Sequence, residues 1–154
     1  MKNDKIILQI NNLVKEYFEN ISYNFKAGQS KIPLAVPSYN HEEVIESIDS
    51  LLNTCVTMGS KVKQFEEKFA NYIGTNHAIG VNSGTSGLHL VLRALGIKEG
   101  DEVITTPFSF IASSNCILYE KAKPVFVDVD EDTFNIDPKK IEEAITPNTK
   151  AILI

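Results

Sequence analysis

The stretch GVNSGTSGLHLVLRALG, residues 80–96, sets small polar residues at Ser83, Gly84, Thr85 and Ser86 directly ahead of Leu88, Val91, Leu92 and Leu95 at helical spacing. A helix opening on such a cluster leaves its first amide N–H groups without intrahelical partners, and its dipole adds partial positive charge. That start suits an anion, a phosphate above all. Gly84 lets a ligand approach the backbone, while Thr85 and Ser86 offer hydroxyls beside their amides. The plainer reading is that Ser83 or Thr85 caps the helix and Gly84 makes the turn, and the cluster taken alone favours it. Gly80, Gly84 and Gly87 do not form GxGxxG and no Gly-Lys-Ser/Thr follows, so neither the dinucleotide nor the P-loop pattern fits. Gly87, inside the first turns, costs about 1 kcal/mol against Ala, which close packing on a ligand or strand would offset.

Further on, GDEVITTPFSFIASSNCI follows a buried-strand pattern with Pro107, Phe108, Ser109 and Phe110. Ligands of open parallel sheets bind beside the carboxyl ends of the strands, and a ring delivered there can stack on a flat heteroaromatic molecule. Phe108 and Phe110 alternate, so one ring can face a ligand while the other plugs the core below the loop.

Other reactive side chains carry less. His89, on the helix of the polar cluster, is read as a packing or interface histidine, with catalysis as the lesser alternative; His41 and His77 are read as surface residues near helix ends. Asp128, Asp130, Glu131 and Asp132 follow a strand and precede TFNID, so a solvated loop is expected rather than a metal centre, and no zinc-ligand spacing occurs. Lys150, at the opening of the last apolar run, is read as a surface lysine. Cys55 and Cys116 are the only cysteines and lack CxxC spacing, so two free thiols and a reducing compartment are expected.

The elements that must position these residues follow from periodicity. Ile6, Ile7, Ile10, Leu13, Val14, Tyr17 and Phe18 predict an amphipathic helix over 4–18, followed by an arm over 20–38 with Gly28, Pro33 and Pro37. Asn40 and Glu43 form a capping box for a second helix that carries Val44, Ile45, Ile48, Leu51 and Leu52 on one face. A third starts at Lys61, buries Val62, Phe65, Phe69, Ala70, Tyr72 and Ile73, and ends at Gly74. From Ala78 the series AIGV, helix to Leu95, EVIT, helix 111–119, PVFVDV, helix 138–145 and AILI reads βαβαβαβ. Apolar runs without alternation predict strands buried on both faces, hence a mostly parallel sheet with helices on both faces. The final run stops while a strand is in progress, so the fold is expected to continue beyond residue 154.

Composition sets the class. Of 154 residues 43% are hydrophobic and 23% charged, which is globular rather than disordered. The formal charge is -5 with no dense Lys/Arg run, so no nucleic-acid footprint is read. The short apolar run near Ile6 is broken before signal-peptide length, and no membrane-length stretch follows; a cytoplasmic protein with no membrane partner is expected.

The blocks VNSGTSGLHLVLRALGIKEGDEVITTPFSFIASSNCI and KPVFVDVDEDTFNIDPKKIEEAITPNTKAIL, with VTMGSKVKQFEEKFANYIG upstream, closely resemble the DegT/DnrJ/EryC1/StrS family of aminotransferases that use pyridoxal 5'-phosphate (PLP). The resemblance runs from about Ile32 to the end and rests on several blocks in order rather than on one motif. It implies an α/β fold, the large domain of fold type I PLP enzymes, with residues 1–38 as helix and arm and 39–154 as an incomplete amino-terminal portion of the PLP-binding domain. It implies that Thr85 and Ser86 bind the cofactor phosphate with Gly84 permitting the approach, that Phe110 stacks on the pyridine ring, and that Thr57 and Gly59 border the substrate pocket. Two positions depart from the common pattern: Ser86-Gly87 stands where many members have two alanines, and Met58 replaces a common threonine. No catalytic residue and no metal ligand is assigned within the chain, because the Schiff-base lysine is expected beyond residue 154. The implied reaction moves an amino group from an amino-acid donor to a keto sugar on a nucleotide, within a homodimer, and the chain alone is expected to be inactive. A sugar 3-dehydratase, in which histidine replaces that lysine, and a non-catalytic PLP-binding or regulatory fragment are the alternatives.

Overall fold

A computed structural model describes residues 2–21 and 25–154, so residues 22–24 of the expected arm lie outside the described residues. The chain forms two compact units, Met1–His77 and Ala78–Ile154.

The first unit is helical, with α1 (Lys2–Asn20), α2 (His41–Leu52) and α3 (Ser60–Ile73). The capping box opens α2 as read: the Glu42 amide donates to Asn40 Oδ1 at 2.8 Å, and the Asn40 amide donates to Glu43 Oε2 at 2.7 Å. That amide bond holds the Glu43 carboxyl below the usual carboxylate range. Part of the apolar stripe of α1 finds its partner in α2, and Phe18 meets Tyr39 edge-on at 6.5 Å. Gly74 ends α3 in the left-handed region at φ 80, its amide donating to the Ala70 carbonyl. The expected buried side of α3 is a correction. Only Ala70 is buried, while Phe65, Phe69, Tyr72 and Ile73 are exposed. A stripe is buried only where an apolar surface covers it, and α2 reaches α3 through ion pairs instead, Lys61 Nζ lying 2.6 Å from Glu46 and 2.7 Å from Asp49.

The second unit holds α4 (Gly84–Ala94), β1 (Glu102–Thr105), α5 (Ala112–Tyr119), β2 (Lys123–Phe126), α6 (Pro138–Ala144) and β3 (Thr149–Ile152). The strands form a parallel sheet in the order β2-β1-β3. Glu102 to Thr105 stand opposite Lys123 to Phe126 residue for residue, whereas the pairing with β3 skips Lys150. All of β1 is buried, as a run without polar alternation predicts. β2 and β3 are edges and only partly covered, which corrects their expected burial on both faces. A second correction concerns Ala78–Val81, which is not a strand of this sheet. An apolar extended segment becomes a strand only when a neighbour supplies its ladder.

Leu92, Ile97, Val103, Cys116, Ile117 and Ala122 form the core, with Leu88, Ala151 and Leu153 packed against it. Val91 and Leu95 of α4 are exposed, so the inward face of that helix is narrower than the sequence implies. At the start of β1 the Glu102 carboxylate accepts from Thr146 Oγ1 at 2.6 Å and Lys123 Nζ at 2.9 Å, which tie it to the turn before β3 and to β2. These bonds, Thr146 first, lower its pKa. Asp137 caps α6 through the Lys139 amide at 2.9 Å, with Pro138 in the first turn, as read. Cys116 is buried and Cys55 exposed, and both are free thiols. Among the described residues no helix is long and apolar enough to cross a membrane.

Ile104 and Ile117 are the largest side chains with no exposure. Ile104→Ala is expected to lower unfolding free energy by about 2–5 kcal/mol, whereas exposed Val91→Ala changes it by under about 0.5 kcal/mol; urea denaturation of the two variants checks the contrast.

Candidate functional site

The start of α4 is built by Ser83, an extended N-cap at φ -161 whose Oγ accepts the Ser86 amide at 3.1 Å. The Ser86 hydroxyl donates to Asn82 Oδ1 at 2.7 Å and lies 3.0 Å from Ser83 Oγ. Of the two caps the plainer reading allowed, Ser83 is the one formed: it consumes the Ser86 amide, and the side-chain oxygen of Asn82 takes the Ser86 hydroxyl proton. Gly84 and Thr85 occupy the first two helical positions, where geometry provides no intrahelical acceptor for the amides. A Cβ built on Gly84 meets nothing within 4 Å, so the backbone there is open to an approaching group. Two amides, the Thr85 hydroxyl and the helix dipole together match the oxygens of a phosphate group, and this end of the helix fits the phosphate of PLP.

A Cβ at Gly87 would sit 3.6 Å from Val81 Cγ2, an ordinary contact. The glycine is thus not demanded by the packing of this chain. Gly87→Ala is expected to raise stability by about 0.5–1 kcal/mol, measured as an increase in the thermal midpoint.

Phe108 and Phe110 lie in the loop between β1 and α5, and both are exposed, so neither plugs the core. The alternation that left one ring for packing is corrected here: the loop lifts both rings off the sheet. Thr106 Oγ1 accepts the Phe108 amide at 3.2 Å, and the Phe110 carbonyl accepts the Ser113 amide at 3.0 Å. Residues 95–101 return the chain from the end of α4 to the start of β1, and Leu92 shares a cluster with Val103. The helix therefore runs against the strand, which brings its start to the end of the sheet where Phe110 emerges.

Two features had no local signal in sequence. Glu120 caps the end of α5, and its carboxylate, 4% exposed, takes His89 Nε2 at 2.8 Å and Arg93 at 2.9 Å from successive turns of α4. His89 also meets Tyr119 edge-on at 5.2 Å, which makes it the packing histidine the sequence favours. The second is Phe134, at φ 57, whose ring lies 6.1 Å from that of Phe108. The acidic loop is solvated as expected, but Asp130 organises it: its Oδ1 accepts the amides of Asp132 and Thr133 and the Thr133 hydroxyl at 2.9–3.1 Å. Among the described residues no cluster of His, Cys, Asp and Glu could hold a metal ion.

Arg93, first, and His89 hold the Glu120 carboxyl below its ordinary value of 4.5. A carboxylate with a lowered folded pKa contributes stability that is present above the ordinary value and lost as pH falls through the folded one. Glu120→Gln is expected to be less stable than the parent at pH ~7 and to converge with it towards pH ~3, as read from urea midpoints across that range.

Thr57 and Gly59 belong to the first unit. They line a groove of about 310 Å³ together with Asp49, Asn53, Cys55 and Lys61, and Gly59 is the extended N-cap of α3.

A family model matches residues 38–154, described as the DegT/DnrJ/EryC1/StrS aminotransferase family. The chain belongs to this family. Among curated relatives, the spore coat polysaccharide biosynthesis protein SpsC of Bacillus subtilis is 47% identical over 122 residues, covering 79% of this chain and 31% of the relative. GDP-perosamine synthase of Caulobacter vibrioides is 45% identical over 126 residues, covering 80% and 33%. The chain thus spans about a third of the length of these relatives. Among solved structures, a Streptococcus pneumoniae protein assigned as a sugar aminotransferase, in its PLP form, matches with TM-score 0.75 at 37% identity over 80% of this chain and 31% of that one. A GDP-4-keto-6-deoxymannose-3-dehydratase matches with TM-score 0.71 at 35% identity over 79% and 33%. The fold of this family member is the corresponding part of the PLP-dependent aminotransferase fold, a parallel sheet with its helices.

Proposed function

We propose that this chain supplies the phosphate-binding part of a PLP-dependent aminotransferase acting on a nucleotide-linked keto sugar. The observation that carries the reading is the start of α4, where Gly84 and Thr85 present unbonded first-turn amides on an open backbone. Thr85 adds a hydroxyl, and Phe110 offers an exposed ring at the same end of the sheet. Ser86 takes a lesser part, because its amide and hydroxyl are already engaged. PLP, when bound, supplies an electron sink for the transfer of nitrogen. The residues of this chain hold its phosphate, orient its ring and keep one face of it from water. Thr57 and Gly59 border the sugar substrate, an amino acid is the nitrogen donor, and the working form is a cytoplasmic homodimer. The chain by itself binds but does not turn over, since none of its residues is assigned to form the Schiff base.

A sugar 3-dehydratase is the second reading, favoured by the similarity to a dehydratase of known structure. Isotope analysis separates the two: nitrogen from labelled glutamate appears in an aminotransferase product, whereas a dehydratase product has lost its 3-hydroxyl.

Equilibrium dialysis of the chain against PLP tests the site directly. Thr85→Ala is expected to weaken binding roughly tenfold, the worth of one hydrogen bond to a charged group, and Ser86→Ala to weaken it less. Equal affinity of Thr85→Ala and the parent would overturn the assignment.

A further inference from the structure

The loop over residues 128–137, which follows β2, contains a residue that is costly where it stands. Phe134 lies in the left-handed region at φ 57, where a side chain with a Cβ crowds the carbonyl and where glycine, asparagine or aspartate are the usual occupants. The Asp130 turn imposes this conformation: the Phe134 amide donates to the Asp130 carbonyl at 2.9 Å, the Asp130 amide donates to the Asn135 carbonyl at 2.8 Å, and Val129 bridges Ile136 across the loop. Burial does not explain the phenylalanine, because it is 62% exposed. What the ring does make is the contact with Phe108, centroids 6.1 Å apart and tilted by 37°.

The partner loop needs such a contact. The Phe108 amide bonds Thr106 Oγ1, Ser109 Oγ lies 3.1 Å from Ser113 Oγ, and the Phe110 carbonyl accepts the Ser113 amide, so these anchors lie within the loop and the helix that follows it. None of them ties it to a neighbouring strand. β1 and β2 run parallel in register, Thr105 opposite Phe126, so the loops that leave them emerge from the same end of the sheet. We infer that Phe134 is a positioning residue: fixed by the Asp130 turn, its ring braces Phe108 and so holds the 106–111 loop that carries Phe110. The functional weight of the brace rests on the reading of Phe110 as the ring that stacks on the cofactor; the brace itself does not.

Hydrogen exchange of the whole chain without cofactor tests it. Phe134→Asn keeps a residue that tolerates the left-handed turn and removes only the ring. It is expected to speed exchange at the Phe108 and Ser113 amides roughly three- to tenfold, the worth of an aromatic pair, while Val103 and Ile104 in β1 stay as in the parent. Phe134→Tyr restores the parent rates, and in a Phe108→Ala background Phe134→Asn adds nothing. Parent-like exchange in Phe134→Asn, acceleration shared with β1, or additive effects of the two substitutions would each overturn the brace. PLP affinity of Phe110→Ala, measured separately, decides the stacking role, so the two ideas fail independently.

Discussion

A strand buried on both faces and along both edges must have every backbone donor and acceptor answered by neighbouring strands, and β1 is the strand in this position. Its ladders to β2 and β3 are parallel, and parallel strands can be joined only by crossovers, here α5 from β1 to β2 and α6 from β2 past β1 to β3. Each crossover begins at the carboxyl end of one strand and returns to the amino end of the next. The segments 106–111 and 127–137 are therefore gathered at one end of the sheet, and the direction of α4 places its start there too. Burial of four residues thus decides where a site can be.

At that place capping and anion binding would make competing demands on a helix start. Ser83 caps the helix by taking the Ser86 amide, and an anion needs amides left free. The competition is resolved by position, since the cap acts on the third helical residue and leaves Gly84 and Thr85. The rest of α4 is held by charge as well as by packing: Glu120 reaches it from α5 at two successive turns through His89 and Arg93. Such a link resists sliding of the helix along α5, because its bonds have fixed length and direction, whereas apolar contact alone tolerates a shift.

Much was legible in the residues themselves. The helix boundaries at Asn40, Gly74 and Asp137 follow from side chains and backbone conformations acting within one turn, and the structure places them as read. The polar cluster before Leu88 announces a helix start for the same reason. Burial was less legible. Tyr72, Val91 and Leu95 have the spacing of inward residues yet are exposed, and Ala78–Val81 has the composition of a strand yet is not one of the three strands of the sheet. Periodicity states which side of an element is apolar, not what covers it.

The sequence by itself pointed to the family through several resembling blocks in order, and it determined the helix starts and ends, because capping, turn chemistry and hydrophobic spacing act over a few neighbours. The bonds of Ser86 to Ser83 and Asn82 are local in the same way, three and four residues apart. Tertiary structure alone decided that Glu120 grips a helix 27 and 31 residues earlier, and that Phe134 lies against Phe108. These are contacts between segments far apart in the chain. Their geometry depends on how strands register and helices pack, which no local pattern encodes.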